Sequence, residues 1–250
     1  MKQVATADYP AYMQQARAAS GDHVYPCSIA EGIQSGEIYT DGSAVLFHHY
    51  CGFAYLSGKP DAAFLREITE RFFGDAPQPR RFVLITDQPE VIAYYTANPA
   101  ICAEKRFYFR ADKAPEIAVP DGFALSEITA EHLSRLQGRI IPAFSWENAA
   151  QFLQHGFGTC VLQDDAIAAC AFSSAVTSEF VDIGIETQEA FRRKGLAVCA
   201  AAAVMQAIIR QGKTPVWACH AANTGSVKTA QKLGFRQTHT CTVLRKRDTP

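Results

Sequence analysis

Neither sign of charge is in excess in this 250-residue chain: 24 Lys and Arg stand against 25 Asp and Glu, a formal net charge of −1. Nucleic acid and anionic lipid are held largely by basic surface, so neither nucleic acid nor a membrane is expected as an obligatory partner. Long apolar runs are missing too. The most apolar stretch, Gly195 to Ile209, has fifteen residues dominated by alanine, short of the roughly 20 that a spanning helix needs. Asp8, Tyr9 and Pro10 stand where a secretory leader requires unbroken apolar sequence. The cysteines at 27, 51, 102, 160, 170, 199, 219 and 241 contain no CxxC pair and are too sparse for a disulfide scaffold. A cytoplasmic protein with reduced, mostly buried thiols is expected. His48-His49-Tyr50-Cys51 has metal-ligand chemistry, but neighbours on a strand point to opposite faces, so no metal is expected.

What is present is ordinary globular composition, 48% hydrophobic and 20% charged, with length for one large core or two modest ones. Strands are expected at 37–40, 44–48 and 53–56, the first two joined by the Asp41-Gly42 turn signal. In 60–73 the apolar residues Ala63, Phe64, Ile68, Phe72 and Phe73 recur near a 3.6-residue period, which predicts a helix. A strand at 81–86, a helix at 89–95 and a strand at 106–110 complete a first α/β unit. Residues 111–122 have two prolines, charges and little periodicity and read as a linker, so the domains are set at 1–120 and 121–250.

Beyond it, 123–128 reads as a strand and 130–137 and 146–154 as helices. Strands at 159–162 and 166–173 flank the Asp164-Asp165 turn, and another is expected at 180–186. A helix over 190–210 buries Leu196, Ala200, Ala203, Val204, Ala207 and Ile208. A strand at 215–219, a helix at 223–233 closed by Gly234, and a strand at 239–244 follow. This alternation predicts an α/β (α+β) protein with helices on the faces of a central sheet.

The sharpest local feature is Asp182 to Ala197, DIGIETQEAFRRKGLA. A strand ends, a polar turn follows, and a glycine with three cationic neighbours opens an alanine-rich helix. The first turn of a helix has unpaired N–H groups and a positive dipole end, so such a junction can hold a phosphate or pyrophosphate. Gly195 removes bulk, and Arg192, Arg193 and Lys194 add charge. The same pattern also describes a solvated helix start with Gly195 as a packing contact.

Arg192-x-x-Gly195-x-Ala197, with Asn223 and the later Lys232-Leu233-Gly234-Phe235, resembles the GNAT N-acetyltransferase superfamily. The run Glu147-Asn148, HGFGTC, VDIGIET, RRKGLA, CHAANTGS and KLGF more particularly resembles a subfamily with an extra N-terminal α/β domain, which includes a zwittermicin-resistance type of enzyme. The resemblance covers roughly Phe123 to Cys241 and implies a mixed, mainly antiparallel sheet in the C-terminal domain. It implies that acetyl-CoA is the cosubstrate, its pantetheine arm meeting backbone groups of Ile183, Gly184 and Ile185 where two strands splay. Arg192, Arg193, Lys194, Gly195, Leu196 and Ala197 would hold the pyrophosphate, with Asn223 and Ser226 nearby. The expected reaction is direct acetyl transfer to the primary amine of a small molecule. Alternatives are a protein amine, a longer acyl-CoA, or acyl-CoA binding without catalysis. A homodimer is one assembly such a chain can form.

Acceptor deprotonation calls for a carboxylate or imidazole. Alternation puts Asp182, Gly184 and Glu186 on one strand face, and Glu186, beside the thioester site, is the expected general base, unless it serves to orient the following turn. The tyrosine that many superfamily members carry seven residues after the asparagine is replaced by Ala230. His220 is the remaining candidate acid. Asn223 can equally cap the helix that follows it. Trp146 and Phe144 are candidates for an acceptor wall or for core packing. Cys160, Cys170, Cys199 and Cys219 read as core residues.

Overall fold

The first turn marked by the sequence depends on one carboxylate and one glycine. Gly42 takes φ +98°, and Asp41 Oδ1 accepts from the Ser43 and Ala44 amides at 2.8 and 3.0 Å. The computed structural model of the protein describes residues 1–21, 23–74 and 77–247.

Its elements run β1 (Lys2–Gln3), α1 (Met13–Arg17), α2 (Val24–Ala30), β2 (Gly36–Thr40), β3 (Ala44–His49), β4 (Phe53–Gly58), α3 (Ala62–Ile68), β5 (Val83–Thr86), α4 (Pro89–Thr96) and β6 (Ile101–Arg110). They continue with β7 (Ala124–Glu127), α5 (Ala130–Arg135), α6 (Ala149–His155), β8 (Gly158–Gln163), β9 (Ala166–Val176), β10 (Phe180–Thr187), α7 (Leu196–Arg210), β11 (Thr214–His220), α8 (Thr224–Lys232) and β12 (Arg236–Lys246). Two compact units form. Of the described residues, the first holds those of 1–108, 220–222 and 239–247; the second holds 109–219 and 223–238. The proline-bearing segment 111–122 lies in the second unit.

In the first unit the strands neighbour one another in the order β1-β2-β3-β4-β5-β12-β6. Only the β4–β5 pair is parallel among those with a defined register, which for β12 runs Thr242↔Thr86 to Leu244↔Leu84. Of the predicted apolar stripe, Phe64, Ile68, Phe72 and Phe73 are buried in the cluster that holds Leu46, Leu56, Leu84 and Leu244, whereas Ala63 is exposed and Leu65, outside the predicted stripe, is buried in its place. Each such side chain contributes roughly 1.5–3 kcal/mol by leaving water. Asp61 caps α3 by accepting from the Phe64 amide at 2.8 Å. The last turn, Thr69–Phe73, widens to π-helical geometry. Helices α1 and α2 carry no clear 3.6-residue signal in the sequence, because α2 is buried along its whole length and so has no polar face to set a period.

Two imidazoles lie buried in this unit. His48 is stripped of water and lies near the Arg80 charge, which together push it down to about 4; its Nδ1 is 3.5 Å from Glu37 and its Nε2 3.3 Å from the Arg81 carbonyl. Burial pushes His49 down to about 3. The unfolded chain protonates these groups near 6.5, so between that pH and about 4 it holds more protons than the folded chain. Stability therefore falls as pH is lowered through this window; Glu37, raised by burial, offsets part of the loss at its lower end. We expect the denaturation midpoint to drop between pH ~7 and pH ~5, and the drop to shrink in His48→Gln. An equal drop in the variant would show that His48 is not a source of it.

In the second unit the order is β11-β10-β9-β8-β7, antiparallel except for β10–β11. A mixed, mainly antiparallel sheet flanked by helices is therefore what forms. Helix α7 packs over β8, β9 and β10, and Ala200, Ala201 and Ala202 are at most 3% exposed. Their lack of bulk lets the helix lie close to the sheet. The helix read from Ala190 begins only at Leu196. Arg193 and Gly195 take φ +67° and +80°, values a right-handed helix does not admit, so residues 189–195 form a separate turn.

Candidate functional site

Parallel pairing between β10 and β11 stops early. Phe180, Val181 and Asp182 face Thr214, Pro215 and Val216, and no register continues beyond them although β10 runs to Thr187 and β11 to His220. The two strands part at Ile183, where β9 also carries a bulge that skips Ser174 between Asp182↔Ala175 and Ile183↔Ser173. Ile183, Gly184 and Ile185, the residues expected to meet the pantetheine arm, thus lie along the parted edge. Gly184 has a structural reason as well: a Cβ there would lie 2.6 Å from the Phe172 ring.

The chain then turns through Glu189–Phe191 into α7. Gly195 is the N-cap in the left-handed region, with no side-chain cap. The first amides to find helical acceptors are those of Val198 and Cys199, both on the Gly195 carbonyl at 3.0 and 3.2 Å. The amides of Lys194, Gly195, Leu196 and Ala197 find no acceptor among the described residues. A Cβ built on Gly195 would enter open space. Arg192, Arg193 and Lys194 are exposed; Arg192 Nε donates to the Thr187 carbonyl at 3.4 Å, and Lys194 Nζ lies 5.6 and 5.3 Å from the Phe123 and Phe191 ring centres. Four free amides at the positive end of a 15-residue helix, with cations beside them, suit the diphosphate of a nucleotide.

Glu186 is the penultimate residue of β10 and is already engaged. Its Oε2 accepts from the amides of Arg139 and Ile140 at 3.0 and 2.9 Å, and its Oε1 takes a longer contact, 3.3 Å, from the Thr187 amide. Gly138 is bound to this arrangement, because its φ is +125° and a Cβ would lie 2.5 Å from Glu186 Cγ. The sequence reading missed Gly138 and the 139–140 amides, which lie 46–47 residues away in the chain and carry no periodic signal.

Asn223 caps α8: its Oδ1 accepts from the Ser226 amide at 3.1 Å. Ser226 Oγ accepts from the Trp217 indole at 3.0 Å. Those two residues are thus held by the β11–α8 junction itself. His220, the last residue of β11, groups with the first unit. Its Nε2 lies 3.2 Å from Glu104 Oε2, and its Nδ1 accepts from the Ala222 amide at 3.2 Å. Arg245 grips both oxygens of Glu104, at 3.1 and 3.2 Å, and its hydrogen bonds are the leading cause that holds this carboxyl below its ordinary range, against a smaller effect of burial.

Burial marks most of the other candidates as core residues. Trp146 is buried with its indole donating to the Ser173 carbonyl at 2.8 Å and its ring edge-on to Phe152; Phe144 is half-buried. Ala230 is fully buried. Burial pushes the Cys160 and Cys170 thiols up to about 11 and about 12, which suppresses thiolate chemistry. No disulfide joins any of the eight cysteines. Among the described residues no group of three or more His, Cys, Asp or Glu could hold a metal ion, and no helix is long and apolar enough to cross a membrane.

Comparison with known proteins gives the same chemistry a family. The chain is 28% identical over 122 residues to "Uncharacterized N-acetyltransferase YdfB" of Bacillus subtilis (strain 168). That match spans about half of each protein, 48% of this chain and 47% of the other. A GCN5-related N-acetyltransferase-like protein from Streptococcus suis 89/1591 superposes with a TM-score of 0.75 at 19% identity, over 97% of this chain and all of that one. A GCN5-related N-acetyltransferase from Kribbella flavida gives 0.61 at 15% identity over 100% and 98%. At such identities these two likenesses speak to the fold alone. The model of the GNAT acetyltransferase family matches residues 19–244, nearly the whole chain, and the protein belongs to that family.

Proposed function

We propose that the protein binds acetyl-CoA at the β10–α7 junction and catalyses direct transfer of the acetyl group to the primary amine of a small molecule. The observation that supports this most is the pairing of four acceptor-free amides at 194–197 with a strand pair that parts at Ile183. One feature suits a diphosphate, the other an extended arm with amide groups of its own. When bound, acetyl-CoA supplies an activated thioester carbonyl. Gly195, Leu196 and Ala197 give backbone N–H groups to the diphosphate, while Arg192, Arg193 and Lys194 supply positive charge. Backbone groups of Ile183–Ile185 hold the arm, and a donor near Ile185 polarises the carbonyl.

Glu186 takes the acceptor's proton. Its Oε2 is committed to the Arg139 and Ile140 amides, so Oε1 is the oxygen available for this work. His220 protonates the departing sulfur, in place of the tyrosine that Ala230 denies. Ala230 also favours a second reading, an acyl-CoA-binding protein without transfer.

Thiol release from acetyl-CoA with a panel of small primary amines separates the two. Amine-dependent release is the expected result. Tight CoA binding with no release across a broad panel would favour the second reading, and absence of CoA binding would reject both.

A further inference from the structure

Residues 137–140 are fastened to the end of β10 at two points, both within the second unit. At one, Glu186 Oε2 accepts from the Arg139 and Ile140 amides at 3.0 and 2.9 Å. At the other, Gln188 Nε2 donates to the Gln137 carbonyl at 3.0 Å, while the Gln188 amide is itself anchored on the Ala168 carbonyl at 3.0 Å. Gly138 lies between these fastenings. It takes φ +125°, and a Cβ there would stand 2.5 Å from Glu186 Cγ, 2.8 Å from Cδ and 3.0 Å from Oε2. The glutamate side chain therefore runs directly against the bare α-carbon, a close approach that only glycine permits. Residues 137–139 are exposed, so this conformation fills no core. What it does serve is the carboxylate. A glutamate side chain ordinarily exchanges among many rotamers, and with Oε2 held by two amides the other oxygen, Oε1, keeps one direction.

We propose that Gly138 is a positioning residue: by leaving room for Glu186 beside the Arg139 and Ile140 amides, it fixes Oε1 where the acceptor amine gives up its proton. The inference rests on the transferase reading above. As the new carbon–nitrogen bond forms, one N–H proton of the amine passes to Oε1. The carbon–sulfur bond breaks with its electron pair leaving on the sulfur, and Glu186 afterwards returns its proton to water.

Amide hydrogen exchange followed by NMR tests the seat without any ligand. The Arg139 and Ile140 amides should exchange about tenfold faster in Glu186→Ala and in Gly138→Ala than in the unaltered protein, while the β9 and β10 amides keep their protection. In turnover, Gly138→Ala should lower kcat by about ten- to a hundredfold, the effect of a small misplacement, with KM for acetyl-CoA changed by less than about twofold. On a Glu186→Gln background, where no proton can be taken up, the same substitution should change kcat by less than about twofold, since coupled residues fail to add. Gln188→Ala loosens the second fastening without adding bulk and should move exchange and kcat in the same directions by smaller amounts. Unchanged exchange at Arg139 and Ile140 in Glu186→Ala, or an equal loss of kcat from Gly138→Ala with and without the Glu186 carboxylate, would overturn the positioning role. Faster exchange in a protein that acetylates no amine would leave the seat intact and overturn the catalytic positioning together with the transferase reading.

Discussion

Gly195→Glu should lower affinity for CoA by at least ~100-fold, about 2.7 kcal/mol, in a protein that still folds. Gly195 takes φ +80° and a Cβ there meets nothing within 4 Å. The added side chain therefore costs ~1–2 kcal/mol of backbone strain, while its Cβ meets no neighbour. Its carboxylate enters the space before the Leu196 and Ala197 amides, where it takes up their hydrogen-bonding capacity and repels a diphosphate. Gly195→Ala carries the same backbone cost without the charge or the reach, so calorimetry on the two variants separates strain from occlusion. Near-equal losses in both would assign the effect to the backbone. Unchanged CoA affinity in folded Gly195→Glu would remove the diphosphate from this turn.

Replacement of Glu186 divides two roles that the structure gives to one side chain. Glu186→Gln keeps an amide oxygen for the Arg139 and Ile140 N–H groups but cannot take up a proton at neutral pH. Loss of a general base typically costs ~10²- to 10⁴-fold in kcat, and we expect a fall in that range with CoA affinity preserved. Glu186→Ala should show the same kinetic loss and, in addition, a thermal midpoint lowered by release of two charge-assisted hydrogen bonds, about 1–2 kcal/mol at this partly exposed position. Should Glu186→Gln turn over at the wild-type rate across the pH range, Glu186 holds the 138–140 loop and nothing more.

How much of this was legible in the letters depends on the range over which each residue acts. Elements with a polar and an apolar face announced themselves: α3 and the body of α7 lie close to where periodicity puts them, while β3 and β4, buried on both faces, were legible as short apolar runs beside the Asp41-Gly42 turn. The Asp41-Gly42 turn and the Asn223 cap are set by bonds spanning two or three residues, so local chemistry sufficed. Helix α2 was hidden because it is buried on every side, and the start of α7 was misread because apolar periodicity does not register the positive φ of Arg193 and Gly195. Strand β6 was read only from Arg106, since its half-exposed first stretch, Cys102 to Lys105, mixes charged and small residues. The return of β12 to the first unit depends on pairing with Val83–Thr86, about 160 residues earlier in the chain, which no local pattern encodes. The turn before α7 stood out in the sequence for the same local reason that makes it a candidate site: glycine, cations and a helix start are neighbours in the chain. Glu104 and Gly138 did not stand out, because their significance comes from His220 and Glu186, residues far away in sequence.

The most direct test of the central claim is a crystal structure of the protein with CoA bound. The account predicts diphosphate oxygens within hydrogen-bond distance of the Leu196 and Ala197 amides, and the thiol at the edge where β10 and β11 part. A CoA molecule seated elsewhere, with those amides facing only water, would contradict it.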